Sequence, residues 1–378
     1  MKMKRRGILF CCLFILALVV VYLQPVFFQR VSPSRPLFDN PVKAPTNLNY
    51  EPIKADGLAK AIGEPLSDFE EDFGSPIRTY RTGYDFEVRV YNHLDDQQYL
   101  EINTDGESVQ AIKVIGQGGA SLAPFSIGMT MTDLTELTMI YPNFTLSQND
   151  RSVSFELMEQ DMNYRPLVAF DNGTFAVLFF DQKTSELAAV TYLDQTTLLK
   201  LSPYQLTEGE LPLFQESQTV NQETAALEKE TLAFVIIQKM RDQKELESFG
   251  MALDTHSEAK DLLQEITENL SDHLTSQRIH AYQKALTAER TSTFTLTQEE
   301  WQDILKEKEI STVSSIFEAP VYDPTFTILS WYSDPSVYNV LSNQTPEKIG
   351  IAFSKANMVV LIQEDENEHT EDSTSDDL

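Results

Sequence analysis

Apolar and polar positions divide this chain into segments of different period. Residues 8–21 are wholly apolar and sit inside an uncharged stretch, 7–29. At about 1.5 Å of rise per residue, roughly 20 residues cross a bilayer core as a helix, with every backbone group bonded internally. Residues 31–57 are rich in Pro, Asn and Ser, lack periodicity and read as a stalk. In Asp85-Phe86-Glu87-Val88-Arg89-Val90-Tyr91 the alternation predicts a strand with one buried face. The continuous apolar run 175–180 predicts a strand covered on both faces.

The strand-rich part repeats itself. Ile62-Gly63 and Ile127-Gly128 each precede, by five residues, an aspartate followed by an apolar residue, Asp68-Phe69 and Asp133-Leu134. Tyr99 and Tyr164 keep the same offset, and Asp105-Gly106 and Asn172-Gly173 follow as hairpin turn pairs. Ser67 and Thr132 are the expected N-caps of two short helices. Units 58–120 and 121–202 therefore read as one duplicated α+β domain, because about 65 residues alone bury too little surface. Residues 203–223, with their prolines, glutamates and glutamines, read as a linker. The period then becomes helical. Leu227, Leu232, Val235, Ile236 and Met240 form one stripe, and Leu262, Leu263, Ile266 and Leu270 a second. A third helix, 298–308, carries Trp301, Ile304 and Leu305. Strand-like runs at 349–353 and 357–362 close a domain 224–363, and the acidic segment 364–378 reads as disordered.

Charge orients the apolar run. Residues 1–30 hold five basic residues and no acidic one. The flank at 2–6 stays cytoplasmic, which puts the remainder outside as an ectodomain on a single-pass anchor. A cleaved signal peptide is the rival reading, but no small-x-small site follows the run. Beyond residue 30 the chain has 24 basic against 58 acidic residues, −34, which excludes nucleic acid as a partner. Both cysteines, Cys11 and Cys12, lie inside the apolar run, so the ectodomain has no disulfide, which suits a Gram-positive envelope. No phosphate loop, dinucleotide fingerprint, zinc-type spacing or nucleophile elbow is present. The five histidines, His93, His256, His273, His280 and His369, are scattered.

Residues 224–363 resemble the CAP superfamily (cysteine-rich secretory proteins, antigen, pathogenesis-related). Residues 259–273, ending Asn269-Leu270-Ser271-Asp272-His273, are similar to that family's second helix and its F-S-H end. Trp301-Gln302-Asp303-Ile304-Leu305-Lys306 is similar to F-D-R-L-K. Trp331-Tyr332-Ser333-Asp334-Pro335-Ser336-Val337-Tyr338-Asn339-Val340-Leu341 is similar to the W…S-P…N-I-L segment, and Ile349-Gly350-Ile351-Ala352 to I-G-V-G. The repeats at 58–202 resemble the domain that often precedes CAP domains in Gram-positive bacteria. The resemblance implies a CAP α-β-α sandwich, and a cleft whose family pattern has two histidines and two carboxylates that hold a metal. Here His273 matches the first histidine, and Val337 stands at the second. Ser315 takes the place of the glutamate unless Glu318 replaces it, and Thr325 or Phe326 the second carboxylate's. The expectation is a degenerate, non-catalytic CAP domain with no metal or other cofactor. Its groove residues are His273, Glu318, Trp331 and Tyr332, and it binds another envelope protein or a small ligand. The rival is a CAP-type hydrolase with rearranged catalytic residues.

Overall fold

The computed structural model describes residues 49–91, 98–148, 151–312, 314–344 and 347–364. These lie in one compact unit bounded by Leu48 and Leu378. Among the described residues no helix is long and apolar enough to cross a membrane; the apolar run at 8–21 lies outside them.

The first repeat runs α1 (Leu66–Phe73), β1 (Arg78–Arg81), β2 (Glu87–Tyr91), β3 (Tyr99–Thr104) and β4 (Val109–Ile115). The second runs α2 (Met131–Leu137), β5 (Asn143–Gln148), β6 (Arg151–Glu156), α3 (Glu159–Tyr164), β7 (Leu167–Ala169), β8 (Phe175–Phe180), β9 (Leu187–Leu193) and α4 (Gln195–Leu201). Seven of their nine strands form one antiparallel sheet in the order β1-β2-β3-β4-β9-β8-β7, with β4 and β9 meeting at its centre. The duplication shows in matching hydrogen bonds. Gly63 N donates to Val109 O and Gly128 N to Leu187 O, both at 2.8 Å. Both glycines sit at positive φ, +86° and +88°. The true counterpart of the Asp105-Gly106 hairpin is therefore the β8–β9 turn; Asn172-Gly173 turns the β7–β8 hairpin, whose counterpart is β2–β3. An insertion carrying β5 and β6 displaces the constant offset expected from the sequence. The caps also shift. Thr130, not Thr132, caps α2 in a reciprocal box with Asp133, and α1 starts at Leu66 after Pro65 with no side-chain cap.

Residues 203–223, expected to be a linker, contain β10 (Gln205–Glu208), which pairs with β6 in a small sheet β10-β6-β5. Leu211 and Phe214 from this segment are buried. Their burial, and not the surrounding glutamates and glutamines, decides the local structure.

The second half runs α5 (Gln222–Asp242), β11 (Gly250–Met251), α6 (Leu253–Glu268), α7 (Leu270–His273), α8 (Ser276–Ala285), β12 (Phe294–Thr295) and α9 (Gln298–Glu307), then β13 (Ser314–Ala319), α10 (Pro324–Tyr332), α11 (Pro335–Leu341), β14 (Glu347–Ser354) and β15 (Asn357–Glu364). Its sheet is β11-β14-β15-β13-β12. Alternation sends Ala352, Val359, Leu361 and Phe317 to one face, under α6, α8 and α9. Ile351, Val360, Met358 and Ile316 go to the other, under α5 and α10. The expected α-β-α arrangement is thus present. Gly350 marks a close approach: a Cβ there would lie 2.2 Å from Thr255 O, so α6 crosses the sheet only over a glycine.

The core on the α5–α10 side continues without a break into the seven-stranded sheet. Phe179 of β8 meets Phe326 of α10 edge-on at 5.5 Å. Buried polar groups bridge the same seam. Lys113 of β4, fully buried, donates to Glu101 at 2.7 Å and Asn103 at 2.8 Å, and pairs with Asp323 at 2.5 Å.

Candidate functional site

A cleft of about 1160 Å³ opens where the two halves meet. One wall comes from the first half: Met158, Asp161 and Arg165 around α3, and the turn 201–205 between α4 and β10. The other comes from β12, α9, β13, α10 and α11. Both tryptophans of the chain, Trp301 and Trp331, line it. So do Val337 and Ser315, which stand where the family pattern has histidine and glutamate, and Glu318. Much of the remaining lining is hydroxyl-bearing, including Thr293, Thr312, Ser314, Thr327, Ser330 and Ser336.

Two of the four expected groove residues are in this cleft, and they touch. Trp331 Nε1 donates to Glu318 Oε2 at 2.5 Å. Glu318 projects from β13 on the same face as Ile316, toward α10. The other two point elsewhere. Tyr332 follows Trp331 by one residue, and about 100° of helical rotation turns it into the core. There its hydroxyl donates to Leu341 O at 3.3 Å and its ring meets Tyr338 edge-on at 6.3 Å. His273 lies beyond the opposite face of the five-stranded sheet, among the α6–α9 helices. Its Nε2 is 2.8 Å from Glu265 Oε1, and Glu265 also accepts from Lys308 and Asn269. Those bonds, with Lys308 first, hold the Glu265 carboxyl down to about 2. His273 is thus a tie between α6, α7 and α9, not a groove residue. Its match to the histidine of F-S-H is what placed it in the groove.

Four carboxylates line the cleft, and three have structural duties. Asp161 pairs with Arg165 at 2.6 Å and accepts from Met158 N at 3.0 Å. Asp323 caps α10 through Phe326 N at 3.0 Å and pairs with Lys113. Asp334 caps α11 through Ser336 N at 2.8 Å. Glu318 alone has no cation within ion-pair distance among the described residues. Burial raises its pKa above the usual carboxylate range. Hydrogen bonds from Trp331 and Thr293 and the more distant Arg165 charge oppose that rise, and Asp334 adds to it. Among the described residues no group of three or more His, Cys, Asp or Glu side chains converges as a metal site. The cleft presents one acceptor carboxyl, a ring of hydroxyls and two indoles, a set suited to holding polar groups in place. The contributions of Met158, Asp161 and Arg165 were not found from the sequence, because they come from the other half of the chain.

Residues 62–204 match the family model described as CAP-associated N-terminal. The uncharacterized membrane protein YlbC of Bacillus subtilis is 28% identical over 156 residues. The match covers 41% of this chain and 44% of YlbC, so this chain spans less than half the length of that relative. A cysteine-rich secretory protein from Staphylococcus aureus superposes with a TM-score of 0.62 at 18% identity, over 84% of this chain and 98% of that one. An extracellular protein containing a SCP domain from Bacillus anthracis gives 0.62 at 19% identity, over 83% and 97%. At these identities the two structures speak to fold alone. Residues 62–204 are thus similar to the CAP-associated N-terminal family, and the described chain shares the fold of these two bacterial proteins.

Proposed function

We propose that this chain is a binding protein of the cell envelope, held to the membrane by the apolar run at 8–21 with its folded part outside. In this reading it takes a ligand into the cleft between its halves and releases it unchanged. The observation that carries the reading is the state of the cleft carboxylates. Hydrolytic clefts commonly set an acid beside a second, differently tuned base or nucleophile. Asp161, Asp323 and Asp334 are each held by a cation or a helix N-terminus, and Glu318 is left with an indole, a hydroxyl and, among the described residues, no histidine. The name of the Bacillus subtilis relative supports the membrane assignment. The basic flank at 2–6 supports the orientation.

One observation favours a hydrolase instead. A carboxyl of raised pKa in a cleft is the usual signature of a general acid. The two readings separate in one experiment. The full chain in detergent micelles is screened by thermal shift against peptides and small polar metabolites, and each stabilising compound is recovered and weighed by mass spectrometry. The binding reading expects a saturable stabilisation. Ser330→Trp, which fills the cleft, should abolish it, and the compound should return intact. Consumption of the compound, stopped by Glu318→Gln, would establish the hydrolase.

A further inference from the structure

The cleft contains an open sheet edge. β13 pairs along its length with β15, from Ser314↔Ile362 to Glu318↔Met358. On its other side β12 covers only two positions, Phe294↔Ala319 and Thr295↔Glu318. Two residues after Thr295 the chain reaches Thr297, the N-cap of α9, and departs from the sheet. On the β12 side, residues 314–317 therefore have no strand beside them among the described residues, and all four line the cleft. Such an edge presents backbone N–H and C=O groups ready for another strand. The segment spans about 13 Å at roughly 3.3 Å per residue. The side chains at its open end are small, Ser314 and Ser315, so a second backbone has room to approach.

At the end of this edge stands Glu318. Its side chain is half-buried, and a carboxylate partly withdrawn from water costs free energy unless a cation meets it. Among the described residues the one basic residue lining the cleft, Arg165, is engaged by Asp161 at 2.6 Å. The chain thus presents, side by side, a strand vacancy and a carboxylate without its counter-charge.

We infer that the cleft binds an extended peptide segment that adds to the edge of β13, continuing the line of β12, and places a lysine ammonium on Glu318. This rests on the reading of the cleft as a binding site and names its ligand class. Main-chain hydrogen bonds to residues 314–317 would supply sequence-independent affinity, and Glu318 the selectivity for a basic side chain. The indole of Trp331, already hydrogen-bonded to the carboxylate, holds it in the orientation that receives the ammonium. No bond is made or broken.

The test uses the full chain in detergent micelles and three synthetic heptapeptides of alternating Thr and Val. One has a central lysine, one has that lysine Nε-acetylated, and one has proline beside it. Isothermal titration should show saturable binding of the first. Binding should weaken about tenfold or more on acetylation, the loss expected for one charge-assisted hydrogen bond. Proline, which removes a ladder donor, should weaken it as strongly. Glu318→Gln should erase the difference between the lysine and acetyl-lysine peptides, and Glu318→Asp should restore part of it. In the native chain, amide exchange at 314–317 should slow on adding the first peptide, a readout that does not depend on any variant folding. Equal affinity for lysine and acetyl-lysine peptides, or unchanged exchange at 314–317, would overturn the inference. If no peptide binds while another class of compound still stabilises the native chain and not Ser330→Trp, this inference fails and the binding reading stands. If nothing binds, both fail.

Discussion

Replacing Lys113 with methionine tests whether the two halves are welded by charge. In the native protein one ammonium serves two carboxylates and one amide, all fully out of water. Tyr99 donates to Glu101 at 2.6 Å, and Asn103 Nδ2 donates to Asp323 at 2.7 Å, so the anions are well bonded even before the lysine is counted. Burial alone lowers the lysine's pKa; the Asp323 and Glu101 charges outweigh that and leave it raised. Methionine fills the aliphatic space but removes the only positive charge. Stranding buried carboxylates in this way costs about 3–5 kcal/mol, a large share of the roughly 5–15 kcal/mol that a domain has. Asp323→Asn should cost less, about 1–2 kcal/mol, because asparagine still caps α10 and Lys113 then faces a single anion, Glu101. The double variant should be less destabilised than the sum of the two by about 1 kcal/mol or more. Lys113 is held above its ordinary value of 10.5, so the folded chain keeps that proton longer than the unfolded chain. The stability the native protein holds over Lys113→Met should therefore be fully present below about 10.5 and should fall as pH rises past it. Urea unfolding of residues 48–378 at several pH values measures all of this. A loss below about 1 kcal/mol, or one independent of pH, would refute the claim that this cluster ties β4 to α10.

Three further outcomes are expected. Lys229 is buried beneath the Tyr84 and Phe353 rings with the Lys355 carbonyl as its hydrogen-bond partner, and burial lowers its pKa from 10.5 to about 7. The unfolded chain holds that proton between those two values, so native stability measured against Lys229→Met should rise across that window, approaching about 1.4 kcal/mol per pH unit; parallel curves would refute it. His273→Ala should destabilise the fold by about 1–3 kcal/mol through the loss of its bond to Glu265, and should leave ligand binding in the cleft unchanged; a lost ligand with an intact fold would return His273 to the site. Protease added to wall-stripped cells should digest the folded part and leave a short protected N-terminal fragment, and complete protection would reverse the topology.

Periodicity marked most elements because burial on one face leaves a pattern whatever the surrounding fold. Of the first stripe, Leu232, Ile236 and Met240 are buried, Val235 is half-buried and Leu227 is exposed, while the run 175–180 is buried throughout. What the pattern lacked was distance along the chain. Lys113 and Glu101 interrupt apolar strands, yet nothing near them in sequence points to Asp323, 210 residues beyond Lys113. The segment 203–223 misled for the opposite reason: four buried side chains, Tyr204, Leu206, Leu211 and Phe214, were too few to show a period among so many polar neighbours. In the site, Glu318 and Trp331 were legible from motif order, whereas Tyr332 was misplaced by one step of helical rotation. His273 was misplaced because motif order does not say which face of a sheet a helix covers.

Tryptophan fluorescence tests the central claim, that the cleft between the halves is a ligand site, most directly. The chain has two tryptophans and both line that cleft, so every change in indole emission reports from its walls. The full chain in detergent micelles, titrated with the lysine heptapeptide, should show a saturable shift in emission. That shift should lose half or more of its amplitude in Trp331→Phe and vanish in Ser330→Trp when the latter is corrected for its added indole. Emission unchanged at ligand concentrations that saturate the binding measured by calorimetry would place the bound peptide elsewhere and contradict the account.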